Sequence, residues 1–269
     1  MHGTLEKGGL FAHVSLPSFL QADDIATAGH LNLWRLHGVL TKSKIIVCYV
    51  PCDPTGGTFL DYDKMMAGRF SFMASVKTRL YKDYYRIRDI PTTPSLRVTH
   101  NLSYVGNSSL STTLTLNCSD SGKVFANSTY QAVVIDAATR LPAPLPDWWK
   151  KKFEWAIIGN KPLFIERIVS RAGSFTYDAK IPWTDLDLFK HINYTAYIRY
   201  CYDCAFDAIV NGAYPTFKDR NRLNRVSGID MSFSRECFPN DILNIATWED
   251  PNDPSTLRFD MTVRGQDAF

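Results

Sequence analysis

The same order of patterns runs twice along the 269-residue chain: an alternating strand, a polar motif, an amphipathic helix, and a set of further strands. No other feature constrains the fold as tightly, because each copy of a repeated unit must bury its own helix against its own strands. In the second copy Phe175, Tyr177, Ala179 and Ile181 alternate with Thr176, Asp178 and Lys180, as a half-buried strand should. The stretch PWTDLDLFKHIN follows at 182–193. From Tyr194 onward, apolar residues recur at Tyr197, Ile198, Cys201, Ala205, Ala208 and Ile209 until the Asn211-Gly212 stop, which predicts a helix over 194–210. Alternation over 226–235, 241–248 and 257–264 predicts three more strands.

The first copy is a weaker version of this. Ala12, Val14 and Leu16 alternate with His13, Ser15 and Pro17 in the segment 10–17. The motif region holds Asp24, His30 and Asn32 and leads into a short periodic run through Leu33, Leu36 and Leu40. Strands are expected at 96–104, at 110–116 after the Gly106-Asn107 turn, and at 123–136. The exit AATRLPAPLPDWWKKK, 137–152, reads as a Pro-rich linker anchored by aromatics, its two tryptophans covering the end of the sheet. Two domains result, 1–150 and 165–269.

The copies are unequal. Residues 44–89 have no counterpart in the second half: a turn at CDPTGG, 52–57, precedes Met66, Phe70, Met73, Leu80 and Tyr84 at helical intervals, so a helical insertion packed on the sheet is expected at about 44–89. The second copy reaches RGQDAF where the first enters its strand at 123–136. A second domain one strand short is therefore expected: either it is truncated, or it has an exposed sheet edge that something else must cover and through which copies could pair into a homo-oligomer.

Composition excludes several classes. Hydrophobic residues make up 45% and charged residues 21%, with no apolar run of the length a bilayer requires, so no membrane span is expected. A net charge of +3 is too small to point to nucleic acid, although it suits a phosphate-bearing substrate. The first 30 residues carry Glu6, Asp23 and Asp24 and show neither a secretory nor a mitochondrial leader pattern, so a cytoplasmic location is expected. The six cysteines are too sparse for a disulfide framework and are expected to be reduced and buried. Cys201 and Cys204 form a CxxC inside the helix rather than at its start, where a redox pair gains its reactivity. Five N-x-S/T sequons, from Asn101 to Asn193, are read as Ser/Thr-rich strand and loop sequence.

Two carboxylates, Asp185 and Asp187, with His191 and Asn193, precede the long helix. The bland reading of both acids is capping of the helix and of the loop that precedes it. The chemical reading is hydrolysis: a carboxylate can activate water at an acyl carbon, a histidine can orient it or donate a proton, and amides at a helix start can polarise a carbonyl.

At DLDLFKHINYTAY, 185–197, the chain resembles the hotdog-fold thioesterases, whose pattern D-x-D-x-x-G-H-V-N-N precedes a central helix wrapped by an antiparallel sheet. It is particularly similar there to plant acyl-ACP thioesterases. GHLN at 29–32 matches the end of the same motif, and VVIDAATRLPAPLP at 133–146 resembles the last strand and exit of 4-hydroxybenzoyl-CoA-type hotdog enzymes. The resemblance implies an α+β double hotdog, two antiparallel sheets each wrapped on a central helix, the second lacking its last strand.

It also implies a hydrolase of fatty acyl-CoA or acyl-ACP. Asp187 would be general base or nucleophile and His191 its catalytic partner, with the N-terminus of the second helix as oxyanion site. Asn193, Tyr194, Tyr197, His30 and Asn32 would bind substrate. The carrier is part of the substrate, so no separate cofactor and no metal are implied. Lys190 could meet CoA phosphates. Three positions depart from the pattern: Phe189 replaces a catalytic Asn of the plant enzymes, Lys190 a Gly, and Tyr194 the second Asn. The first motif has Ala26 at the catalytic acid, leaving Asp24. Phe189, Tyr194, Ala26 and the missing last strand favour the alternative, a degenerate hotdog protein that binds acyl groups or a protein partner.

Overall fold

A computed structural model describes residues 2–6, 9, 11–16, 31–89, 95–157, 159, 161–187 and 190–264. Asp24, Ala26 and His30 of the first motif and Phe189 of the second lie outside the described residues. The chain forms two compact units, one of Met1–Ile165 with Ser227–Phe233 and one of Glu166–Val226 with Ser234–Phe269. Each combines an antiparallel sheet with few helices. No helix of the described residues is long and apolar enough to cross a membrane.

Among the described residues the first unit has seven strands: β1 (His2–Glu6), β2 (Phe11–Leu16), β3 (Arg69–Leu80), β4 (Leu96–Val105), β5 (Ser109–Cys118), β6 (Val124–Asp136) and β8 (Gly228–Ser232). Their order is β1-β2-β4-β5-β6-β3-β8. Helix α1 (Leu33–Tyr49) buries Leu33, Leu36, Leu40, Val47 and Cys48. Each such side chain removed from water contributes roughly 1.5–3 kcal/mol. The helix runs well past Leu40 because Ser43 and Val47 continue the buried stripe at steps of three and four, so the first residues of the segment 44–89, up to Tyr49, belong to this helix.

The expected second helix over Met66–Tyr84 is not formed. After the one-turn helix α2 (Tyr62–Met65), Gly68 turns at φ 68 and residues 69–80 become β3, bonded to β6 on one side and β8 on the other. A bulge between Met73 and Ser75 accounts for part of the misleading period. Met73 stands opposite Ala132 and Val76 opposite Tyr130, so two successive residues of one face are three apart, a helical step inside a strand. The Trp-Trp segment is likewise more than a linker. It forms α3 (Asp147–Phe153), and the fully buried Trp149 donates its indole N–H to the Leu60 carbonyl at 2.6 Å.

The second unit has three described strands, β7 (Phe175–Lys180), β9 (Ile242–Asp250) and β10 (Asp253–Val263), in the order β10-β9-β7. The strand expected at 226–235 is β8, whose backbone pairs with β3 in the first unit's sheet; domain 165–269 therefore gives up this segment. Helix α4 (Tyr194–Val210) packs Ala196, Tyr200 and Cys204 against Ala179, Ile181, Leu243 and Ile245. Farther along, Ala208 meets Tyr214 and Phe217. Gly212 ends the helix at φ 66, the left-handed geometry that glycine accommodates.

Candidate active site

The polar motif of the second copy folds into a short hairpin ahead of α4. Leu186 and Ile192 form an isolated antiparallel bridge. Inside it, the Asp187 amide donates to the His191 carbonyl at 2.8 Å and the Lys190 amide to the Asp187 carbonyl at 3.1 Å. Lys190 takes φ 63, left-handed backbone at the position where the hotdog pattern has glycine. The closed turn returns His191 to Asp187: the His191 amide donates to Asp187 Oδ1 at 3.3 Å.

A second segment completes the group. The Ile192 amide donates to the Cys237 carbonyl at 3.1 Å, bringing 236–238 alongside the hairpin. Glu236 Oε1 then lies 3.5 Å from His191 Nδ1, with side chains 25% and 19% exposed, respectively. The Phe238 ring stands edge-on to the imidazole with centroids 5.3 Å apart. Sequence reasoning missed Glu236. It is a lone acid in the loop between two strands, with no motif around it, and only the backbone register places it beside His191.

The other expected residues have different places. Asn193 is the N-cap of α4, its side-chain oxygen accepting from the Thr195 amide at 3.1 Å and the Thr195 hydroxyl at 2.9 Å. Its carbonyl accepts from the Ala196 amide at 2.9 Å. Two first-turn amides of the expected oxyanion site are thereby occupied, and capping falls to Asn193 rather than to Asp185 or Asp187. Tyr194, the first helical residue, is partly buried. Tyr197 packs against the core of this unit and shares a hydrogen bond with the Cys237 thiol; burial above all pushes both groups upward. Tyr197 therefore contributes to the packing of this unit. Asn32 belongs to the first unit, at the N-cap of α1, with no side-chain capping bond.

Elsewhere the cysteines are unpaired. Burial raises both thiols of the Cys201/Cys204 pair, Cys204 to about 12, which removes the reactivity a redox pair needs. In the first unit a small pocket is lined by Lys44, Cys48, Phe59 and Tyr62 among others; its volume of about 10 Å³ is the room of a single water.

No protein-family model and no curated protein sequence matches the chain. Solved structures do. The 12:0-ACP thioesterase from Umbellularia californica is 14% identical and superposes with a TM-score of 0.69, over 97% of this chain and 91% of that one. An acyl-ACP thioesterase from Bacteroides thetaiotaomicron is 14% identical with a TM-score of 0.64, over 96% and 93%. The fold of this chain, across nearly its full length, is the one found in these hotdog-type thioesterases.

Proposed function

We propose that the chain hydrolyses acyl thioesters, fatty acyl-CoA or acyl-ACP, at the Asp187–His191 hairpin of its second unit. The observation that carries this reading is the convergence of Asp187, His191 and Glu236 at the start of α4, in a chain whose fold recurs among acyl-ACP thioesterases. A thioester needs a base for water and a proton for the departing sulfur. In the proposed reaction Asp187 takes a proton from water as its oxygen attacks the acyl carbon. The C–S bond then breaks, the thiolate receives a proton from His191, held by Glu236, and the proton that Asp187 took from water passes back to His191, restoring both groups. Asn193 stiffens the helix start on which the hairpin rests.

The test is thiol release from a panel of acyl-CoA and acyl-ACP substrates by the full chain and by Asp187→Asn. Turnover by the wild type and a loss of about 10²–10⁴-fold in the variant, with unchanged circular dichroism, are expected. A wild type that binds fatty acyl-CoA yet hydrolyses no chain length would replace the hydrolase with an acyl-binding protein.

A further inference from the structure

Asp185 stands two residues before Asp187, and the reaction above gives it no chemistry. Its carboxylate is nevertheless buried, with the residue 8% exposed. Oδ2 accepts from the Arg199 guanidinium and, at 2.5 Å, from the Tyr200 hydroxyl, both on α4. The Asp185 carbonyl accepts from the Asn193 amide at 2.7 Å, and Asn193 caps the same helix. One residue is thus tied to α4 at its cap and again in its second turn. Between Asp185 and Asn193 lies the hairpin, closed by the Leu186–Ile192 bridge.

Burying a carboxylate costs several kcal/mol unless it is paired and hydrogen-bonded, and the resulting pair adds little net stability over an apolar substitute. What such a pair does supply is a fixed position. A carboxylate ahead of a helix ordinarily satisfies the first amides, but here Asn193 does so. The burial of Asp185 therefore has another consequence: it holds the hairpin's base against the side of the helix.

We infer that Asp185, through Arg199 and Tyr200, is a positioning residue that fixes the Asp187–His191 hairpin on α4 in its reactive geometry. The kinetic part of this inference rests on the proposed thioester hydrolysis; the geometric part does not. Displacing reacting groups by an ångström can cost up to about a hundredfold in rate. Loosening the anchor is expected to lower kcat while leaving KM, which reports substrate held elsewhere, nearly unchanged.

The experiment compares the full chain with Asp185→Asn and with Tyr200→Phe, which removes one donor without changing any charge. Asp185→Asn is expected to lower kcat about tenfold and Tyr200→Phe about threefold, each with KM within about twofold. Both are measured well below the melting temperature, so that partial unfolding contributes nothing. In parallel, imidazole resonances are recorded at fixed pH on protein labelled at histidine, His191 being assigned by its loss in His191→Gln. Shifted His191 resonances in both variants, with those of His37 and His100 unmoved, support the positioning role. Unmoved His191 resonances overturn it whatever the kinetics, as does a rate loss that vanishes on cooling. If the wild type hydrolyses no acyl thioester, the hydrolase reading fails and the His191 resonances alone decide the positioning role.

Discussion

His191 Nδ1 and Glu236 Oε1 lie 3.5 Å apart, although 45 positions separate the two residues in the sequence. The pair is held by backbone, through the bond from the Ile192 amide to the Cys237 carbonyl. If Glu236 orients the imidazole for proton donation, Glu236→Gln is expected to lower kcat by about ten- to a hundredfold, equivalent to ~1.4–2.7 kcal/mol of barrier, with KM little changed. Steady-state kinetics on Glu236→Gln, His191→Gln and the double variant check this. Residues acting as one unit give a double loss close to the larger single loss. Fully additive losses would mean that the two side chains work independently.

Asn193 gives the opposite expectation. Its side chain is spent on the Thr195 amide and hydroxyl, so Asn193→Ala removes an N-cap and costs about 1 kcal/mol of unfolding free energy, while Asn193→Ser, also a good cap, costs much less. Urea denaturation ranks the three proteins. A residue that also bound substrate would raise KM in the serine variant, and an unchanged KM there assigns Asn193 to the helix alone.

Much of the fold could be read from the chain because its signals are local. The period of α4 and its stop at Asn211-Gly212 coincide with the helix Tyr194–Val210, and the alternation of β4, β5 and β6 marks strands at the expected places. β3 misled in part because the bulge after Met73 puts Met73 and Leu80, seven apart, on one face; two-residue alternation was present on either side of it. The destination of β8 could not be read at all, since pairing with β3 is a long-range choice between two sheets that present the same strand chemistry. At the site, the hairpin motif was visible through its residue types. Glu236 was not, and for Asp185 capping and chemistry both stay open in the sequence, which shows an acid before a helix without showing that Asn193 already caps it.

Lys190 at φ 63 marks a position where side-chain choice acts through the backbone. A non-glycine residue in left-handed geometry costs roughly 1–2 kcal/mol, partly offset because glycine gives up more freedom on folding, by about 0.5–1 kcal/mol. Lys190→Gly is expected to match or exceed the wild type in stability by up to about 1 kcal/mol. Lys190→Val, whose branched side chain tolerates this geometry least, is expected to lose a further ~1 kcal/mol or more. Chemical denaturation of the three full-length proteins provides the ranking, and a valine variant as stable as the glycine one would show that the turn does not require left-handed backbone at 190.

The first unit carries a pH sensitivity of its own. His37 is fully buried on α1, with Nε2 3.3 Å from the Thr78 hydroxyl and Nδ1 3.4 Å from the Tyr130 hydroxyl, and burial pushes it down to about 3. His100, on β4, bonds the Ser43 hydroxyl at 3.1 Å and is also pushed down to about 3, by burial first and then by Lys44 and His13. An unfolded histidine titrates near 6.5, so between about pH 6.5 and pH 3 the unfolded chain binds more protons than the folded one. Stability contributed by the neutral rings is therefore present above pH 6.5 and falls as the pH is lowered through that window. From pH 7 to pH 5 each ring accounts for a loss of about 2 kcal/mol, and the pair for about 4 kcal/mol. The depressed carboxylates Asp53, Asp136 and Asp250 act only below their ordinary range, near 3.8, so pH 5–7 isolates the histidines from them. Urea denaturation at pH 7, 6 and 5 is expected to show a slope that His37→Gln or His100→Gln each cuts by about 1 kcal/mol per pH unit. Wild type and both variants losing stability equally over this range would mean that neither ring stays neutral when folded.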